Sequence, residues 1–133
     1  MDRNSGCWSA YGFNCPRTPV QLPSDTGWGT EVPLPGDGDR RAWDAMITGS
    51  AWRAAVDAET VLDDIQAVER RVTLKQRDGG VEHVILLVAD TRRNRRALRA
   101  APAAFGAFSR DARTVLRALR RGDGPGTSAI VLL

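Results

Sequence analysis

The chain has 133 residues, 42% of them hydrophobic and 26% charged, a composition typical of one globular domain rather than a disordered protein. No run approaches the roughly 18 apolar residues of a membrane-spanning helix, and the N-terminus lacks the layout of a signal peptide, so we expect a cytoplasmic protein without membrane contact. Two cysteines and one histidine exclude the usual Cys/His zinc site.

Charge is unevenly distributed along the chain. Residues 1–90 contain 9 basic and 14 acidic residues, whereas residues 91–133 contain 10 arginines and 2 acidic residues. Such asymmetry predicts a basic surface for nucleic acid or for an acidic protein partner. Self-association of the complementary halves into a homo-oligomer fits the same pattern.

The first part of the chain shows no sustained helical or strand periodicity. Residues 1–28 mix Gly, Pro, Ser and Asn with scattered aromatic residues, so we expect a poorly structured arm or a misassigned start. Residues 29–133 are predicted to form a single α/β domain. Within it, residues 30–34 are predicted to be extended, and Pro33 and Pro35 confine that segment to a sheet edge.

Two helices are predicted next. Asp39 is a good N-cap for a helix over 40–47, in which Trp43, Met46 and Ile47 have the i, i+3, i+4 spacing of a buried stripe. A second helix is predicted over 51–77, although a short strand over 54–61 also fits the pattern. Asp78, Gly79 and Gly80 end this helix.

The longest apolar run, 84–89, is rich in β-branched residues and predicts a strand over 82–89 that is buried on both faces. Helices are predicted over 92–99, over 103–108 and after a cap at Ser109, followed by a strand over 128–133. A right-handed crossover makes the two strands parallel neighbours. The predicted fold is a small helix-rich α/β domain with a short, mostly parallel sheet.

Two consecutive helices of this domain are basic. The arginines of the last helix recur on the side opposite its apolar stripe, and those of the preceding helix almost surround it. Arginine forks match phosphates bidentately, although solvated basic faces are common. The residues predicted to bind nucleic acid or a partner are Arg92, Arg93, Arg95, Arg96, Arg99, Arg113, Arg117, Arg120 and Arg121.

Acidic residues offer an alternative. Asp90 directly follows the buried strand, at the carboxyl end where open α/β sheets place ligands. Glu59, Asp63, Gln66 and Arg70 would share one helix face, either as a solvated stripe or as part of a magnesium site. The preferred hypothesis has no catalytic residue, metal or cofactor. A magnesium-dependent nuclease would use Asp63, Asp64, Gln66 and Asp90 as catalytic residues, with Asp63 and Asp90 as metal ligands. A third alternative is a small-molecule-sensing domain, which would have a pocket at the Asp90 end of the sheet.

The segments GDRRAWDAMI, ETVLDDIQAVERR, LKQRDGG, VILLVADTRRNRRAL and AIVLL carry a family resemblance. From about Trp28 to Leu133, the sequence resembles a domain that follows an N-terminal helix-turn-helix in many actinobacterial regulator-like proteins. The resemblance implies a small α/β effector or partner domain of a DNA-associated protein. Residues 1–28 stand where a helix-turn-helix is expected and do not resemble one, which argues against sequence-specific DNA reading. We therefore expect a freestanding regulator-associated or toxin–antitoxin-type domain.

Overall fold

The computed structural model of the protein describes residues 22–133, so both cysteines and most of the predicted arm lie outside the described part. No helix in the described residues is long and apolar enough to cross a bilayer. The elements in chain order are β1 (Gly27–Pro33), β2 (Ala42–Thr48), β3 (Arg53–Glu59), α1 (Ile65–Gly79), β4 (His83–Val88), α2 (Arg92–Ala100), α3 (Ala112–Arg120) and β5 (Ala129–Leu132).

The five strands form one sheet in the order β1-β2-β3-β4-β5. The pairs β1–β2 and β2–β3 are antiparallel, whereas β3–β4 and β4–β5 are parallel. The predicted α/β class is confirmed, as are the parallel strands near 82–89 and 128–133 and the edge strand near 30–34. The prediction of a helix-rich domain with a mostly parallel sheet was wrong, because an antiparallel β1–β2–β3 meander precedes the first helix.

The error arose in two segments that were predicted to be helical. Residues 40–47 and the first part of 51–77 form β2 and β3 instead. In β2, Trp43 and Met46 pack on one face of the sheet while Ala45 and Ile47 pack on the other. A strand covered on both faces has no polar alternation, so its apolar spacing can imitate a helical stripe. The alternative strand over 54–61 was close to β3.

Helices cover both faces of the sheet. Val84, Leu86 and Val88 of β4 pack in one cluster with α1 and α2, whereas Ile85 and Leu87 pack in a second cluster with α3. Alternate residues of a strand point to opposite faces. The chain is therefore layered as helices, sheet and helix, with α2 and α3 on opposite sides.

The helix ends follow ordinary capping chemistry. Asp64 caps α1 by accepting from the Ala67 N–H, and Thr91 caps α2 by accepting from the Asn94 N–H. The cap predicted at Ser109 lies instead at Asp111, which accepts from the Thr114 N–H. The helix expected over 103–108 is not formed: residues 102–107 form turns and Phe108 lies in a bend.

Candidate functional site

The carboxyl ends of β3 and β4 are tied together by Asn94, in the first turn of α2. Asn94 is only 1% exposed to solvent. The side-chain Oδ1 accepts from the Leu62 N–H, and Nδ2 donates to the carbonyls of Thr60 and Ala89, each at 2.9 Å. One carboxamide therefore fixes the start of α2 against the loops that follow two parallel strands.

Three arginines form a row on the solvent side of α2. Arg92, Arg96 and Arg99 are spaced i, i+4, i+7, opposite the buried Asn94 and Leu98. All three are exposed, and none forms an ion pair with another described residue, in contrast to their neighbours on the helix. We call these three residues the outer row.

The remaining arginines of α2 lie on its flanks and are paired. Arg93 binds Asp63 through an ion pair in which both side chains are 68% exposed. Arg95 binds Asp90, with 2.9 Å between Nη2 and Oδ2. The hydrogen bond from Arg95 lowers the pKa of Asp90; burial opposes this shift, and the charge of Arg95 adds to it. These carboxylates neutralise the flanks and leave the outer row as the uncompensated charge of the helix.

The acidic residues of the nuclease alternative are distributed among separate contacts. Asp63 and Asp90 each bind an arginine, and Asp64 caps α1 at 3.0 Å from the Ala67 nitrogen. Gln66 lies elsewhere, in a shallow groove between α1 and residues 100–104. No group of three or more His, Cys, Asp or Glu residues within 22–133 is arranged to hold a metal ion.

A second row lies on α3. Arg113, Arg117 and Arg120 have the same i, i+4, i+7 spacing, opposite Val115 and Leu119. Arg121 follows the helix and binds Asp123, with 3.2 Å between Nε and Oδ2. Because α2 and α3 cover opposite faces of the sheet, the nine predicted arginines do not form one surface. They form two basic ridges that face away from each other.

A groove of about 250 Å³ runs between α2 and the start of α3 beside β5, the edge strand of the sheet. Leu98, Ile130 and Leu132 provide its apolar lining, and Arg95, Arg99 and Arg110 its cations. The Arg110 guanidinium donates to the carbonyls of Leu98 at 3.1 Å, Ala101 at 3.4 Å and Ala104 at 3.2 Å. The groove adjoins Arg95, the partner of Asp90, and is the feature closest to the pocket that a sensing domain would need.

Sequence reasoning missed Arg110, because its partners are backbone carbonyls that no sequence pattern marks. It also missed a buried ion pair on the other half of the sheet. Lys75 of α1, 6% exposed, places Nζ 2.7 and 3.0 Å from the two carboxylate oxygens of Asp57 on β3. The same ammonium donates to the Ala42 carbonyl at 2.6 Å and lies 4.5 Å from the centre of the Trp43 ring.

Burial raises the pKa of Asp57, although the hydrogen bond and charge of Lys75 oppose the shift. One signal in the sequence was available: Lys75 is the single lysine among nineteen basic residues. The Lys75 ammonium and the Asp57 carboxylate bind each other and neighbouring backbone groups. The pair therefore holds α1 against the sheet.

The chain matches no protein-family model, and neither a curated protein nor a solved structure is detectably similar to it. Its function therefore has to be inferred from the arrangement of its side chains.

Proposed function

We propose that the chain is a non-enzymatic, regulator-associated or toxin–antitoxin-type domain that binds a polyanion, either DNA phosphates or an acidic protein partner, through its arginine-rich helices. The outer row carries this proposal, because Arg92, Arg96 and Arg99 are exposed cations without a carboxylate partner in the described residues. The resemblance to a domain of helix-turn-helix regulators favours DNA among the possible polyanions.

The row is long enough to contact several phosphates of one DNA strand. Arg92, Arg96 and Arg99 are separated by four and then three residues, so at about 1.5 Å per residue the row spans about 10 Å, with about 5 Å between successive cations along the helix axis. A DNA strand carries one phosphate per about 3.4 Å of helix axis, so a row of this length spans about three phosphate repeats. Guanidinium groups bind phosphate oxygens through two parallel hydrogen bonds, and the salt dependence of such contacts comes from the release of counterions.

The position of the arginines is unfavourable for the helix itself. Arg92 and Arg93 lie in the first turn of α2, which has no acidic residue, although the helix dipole disfavours cations there. The Asn94 bonds and the ion pairs with Asp63 and Asp90 hold the turn in place. A stabilised turn that presents unfavourably placed cations is more consistent with binding than with helix stability.

The test is duplex DNA binding measured by fluorescence anisotropy over a range of salt concentrations. We expect the double variant Arg92→Ala with Arg96→Ala to bind more weakly and to reduce the slope of log K against log salt by about 2, since each lost phosphate contact removes about 0.9. The matched control is Arg40→Ala with Arg53→Ala, which removes the same charge from exposed arginines outside α2 and α3. Equal effects of the two double variants would contradict a contact through the outer row.

Running the assay with EDTA and again with magnesium separates this function from the nuclease. Salt-sensitive binding without cleavage supports the proposal. Cleavage that requires magnesium and is lost in Asp90→Ala would replace it with the nuclease. If duplex DNA does not bind but polyglutamate does, the acidic protein partner is supported instead.

A further inference from the structure

We propose that the groove beside β5 binds an extended peptide segment that carries acidic and apolar side chains on one face, and that this segment pairs with the outer edge of β5. This site is separate from the polyanion contact of the outer row, although Arg99 borders both. The inference combines the open edge of the sheet with the chemistry of the groove.

The outer edge of β5 is only partly occupied. Leu133 exchanges hydrogen bonds with Val88 and Asp90 on the β4 side. Since alternate residues of a strand turn their backbone groups to opposite sides, Ile130 and Leu132 face outward. Ser109 covers the first part of that edge by accepting from the Ile130 N–H at 2.9 Å and donating to the Ser128 carbonyl at 2.7 Å.

Beyond Ser109 the chain turns away into α3. The Asp111 N–H, which would be next in line for the Ile130 carbonyl, donates to the Ser109 hydroxyl instead. Within residues 22–133, nothing accepts from the Leu132 N–H or donates to the carbonyls of Ile130 and Leu132. One donor and two acceptors therefore remain for an added strand, which is the arrangement that peptide addition to a sheet edge uses.

The groove selects the chemistry of that strand. Leu98, Ile130 and Leu132 offer an apolar floor, and Arg99 and Arg110, which form no ion pair with a described residue, supply positive charge. Arg95 also lines the groove, but Asp90 compensates its charge. The floor and the arginines lie on the same side of the sheet, the side that α2 covers. Every second side chain of an added strand faces that side, so apolar and acidic side chains on this one face can contact the floor and the arginines.

Charge decides among the occupants of the edge. Pairing of β5 with β5 of a second copy would bring Arg99 and Arg110 of both copies together, and like charges across an interface are costly. Residues 1–21 contain Asp2, Arg3 and Arg17 as their charged groups and are net positive, so they do not complement the groove. An acidic segment of another protein fits best.

The probe for this site is a fluorescein-labelled Glu-Val-Val-Glu-Glu-Val peptide, which carries glutamate and valine on both faces of an extended strand, with anisotropy measured on the full chain. We expect salt-sensitive binding that falls at least about tenfold when lysine replaces glutamate in the peptide, because charge-assisted hydrogen bonds are lost. Binding should fall similarly when the amides that face β5 are N-methylated. Equal binding of the acidic and lysine peptides, unaltered binding after N-methylation, or no binding at millimolar peptide would each overturn the proposal.

Variants of the protein locate the site. Arg99→Ala should weaken peptide binding, and Leu132→Pro should weaken it further, because proline removes the outward N–H without touching the ladder to β4. The double variant Arg92→Ala with Arg96→Ala should keep peptide binding while weakening DNA binding, so the two proposals fail independently. A concentration-dependent dimer that disappears in Leu132→Pro would assign the edge to a second copy and overturn the proposal; the N-methylated peptide remains decisive if Leu132→Pro does not fold.

Discussion

Asn94 uses both of its amide hydrogens and its oxygen inside the fold, and those bonds connect three separate segments of the chain. The hydrogen-bonding groups around position 94 match a carboxamide, and burial alone would not require an asparagine there. Its position between arginines on an exposed helix gives no hint of this in the sequence, since a single asparagine in a first turn is also compatible with solvent.

Asn94→Ala should lower the free energy of unfolding by about 3 kcal/mol, because it leaves the Leu62 N–H and the Thr60 carbonyl without partners. The Ala89 carbonyl keeps its hydrogen bond from the Thr91 N–H. Urea denaturation followed by circular dichroism measures this loss. Arg96→Ala, on the exposed side of the same helix, should change stability by less than about 0.5 kcal/mol. A loss under about 1 kcal/mol for Asn94→Ala would mean that water replaces the carboxamide.

The pair formed by Asp57 and Lys75 gives a prediction about pH. Lys75→Met should lower stability by about 3–5 kcal/mol near neutral pH, because it leaves a buried carboxylate without its cation. Burial raises the pKa of Asp57 while Lys75 opposes that shift, so removing the lysine raises this pKa further. The folded variant then keeps a proton that the unfolded chain has lost, and its stability falls as pH rises through that interval.

The loss caused by Lys75→Met should therefore be largest near pH 7 and shrink as the solution is acidified, which urea denaturation at a series of pH values would measure. Arg71→Met is the matched control, since it removes the cation of the more exposed ion pair with Glu59 and should cost less than about 1 kcal/mol. A loss of the same size at every pH would contradict the role of Asp57.

At the level of elements, β4 and β5 could be predicted because β-branched runs of that length favour strands whatever surrounds them. The strands β2 and β3 could not be predicted. Because both faces of the sheet are covered, their alanines, Trp43 and Met46 fit the periodicity of a helix as well as that of a strand. What decides between helix and strand there is the pairing of β1 with β2, and that contact is not encoded in local spacing.

The candidate site, too, could be predicted only in part from the sequence. Helical spacing predicted the arginines of α2 and α3 and their exposure. It did not predict that Asp63 would pair with Arg93, since the loop before α1 and the start of α2 meet only in the folded chain. It also did not predict the pair of Asp90 with Arg95, although these two residues are only five positions apart in the sequence. The nuclease alternative required those carboxylates to face a metal ion, whereas the structure turns each toward a guanidinium.

The whole molecule places its two basic ridges back to back, with the sheet between them. A rigid duplex that lies on the outer row cannot reach Arg113, Arg117 and Arg120 of the same molecule, because these residues cover the opposite face. If both ridges bind phosphates, one molecule can therefore hold two duplexes at once.

Energy transfer between donor-labelled and acceptor-labelled duplexes should appear when the protein is added below saturation. Arg113→Ala with Arg117→Ala should keep the binding of one duplex but abolish the transfer, since only one ridge remains. Transfer that survives in this variant would contradict bridging through α3.

The burial of Lys75 determines when the chain can be modified at a side-chain amine. It is the single lysine of the sequence and is enclosed between α1 and the sheet. Reagents that acylate side-chain amines, and enzymes that attach acetyl groups or ubiquitin to lysine, therefore find no target on the folded surface. The chain exposes such an amine only when α1 lifts from the sheet, so chemical labelling of Lys75 marks molecules that have opened.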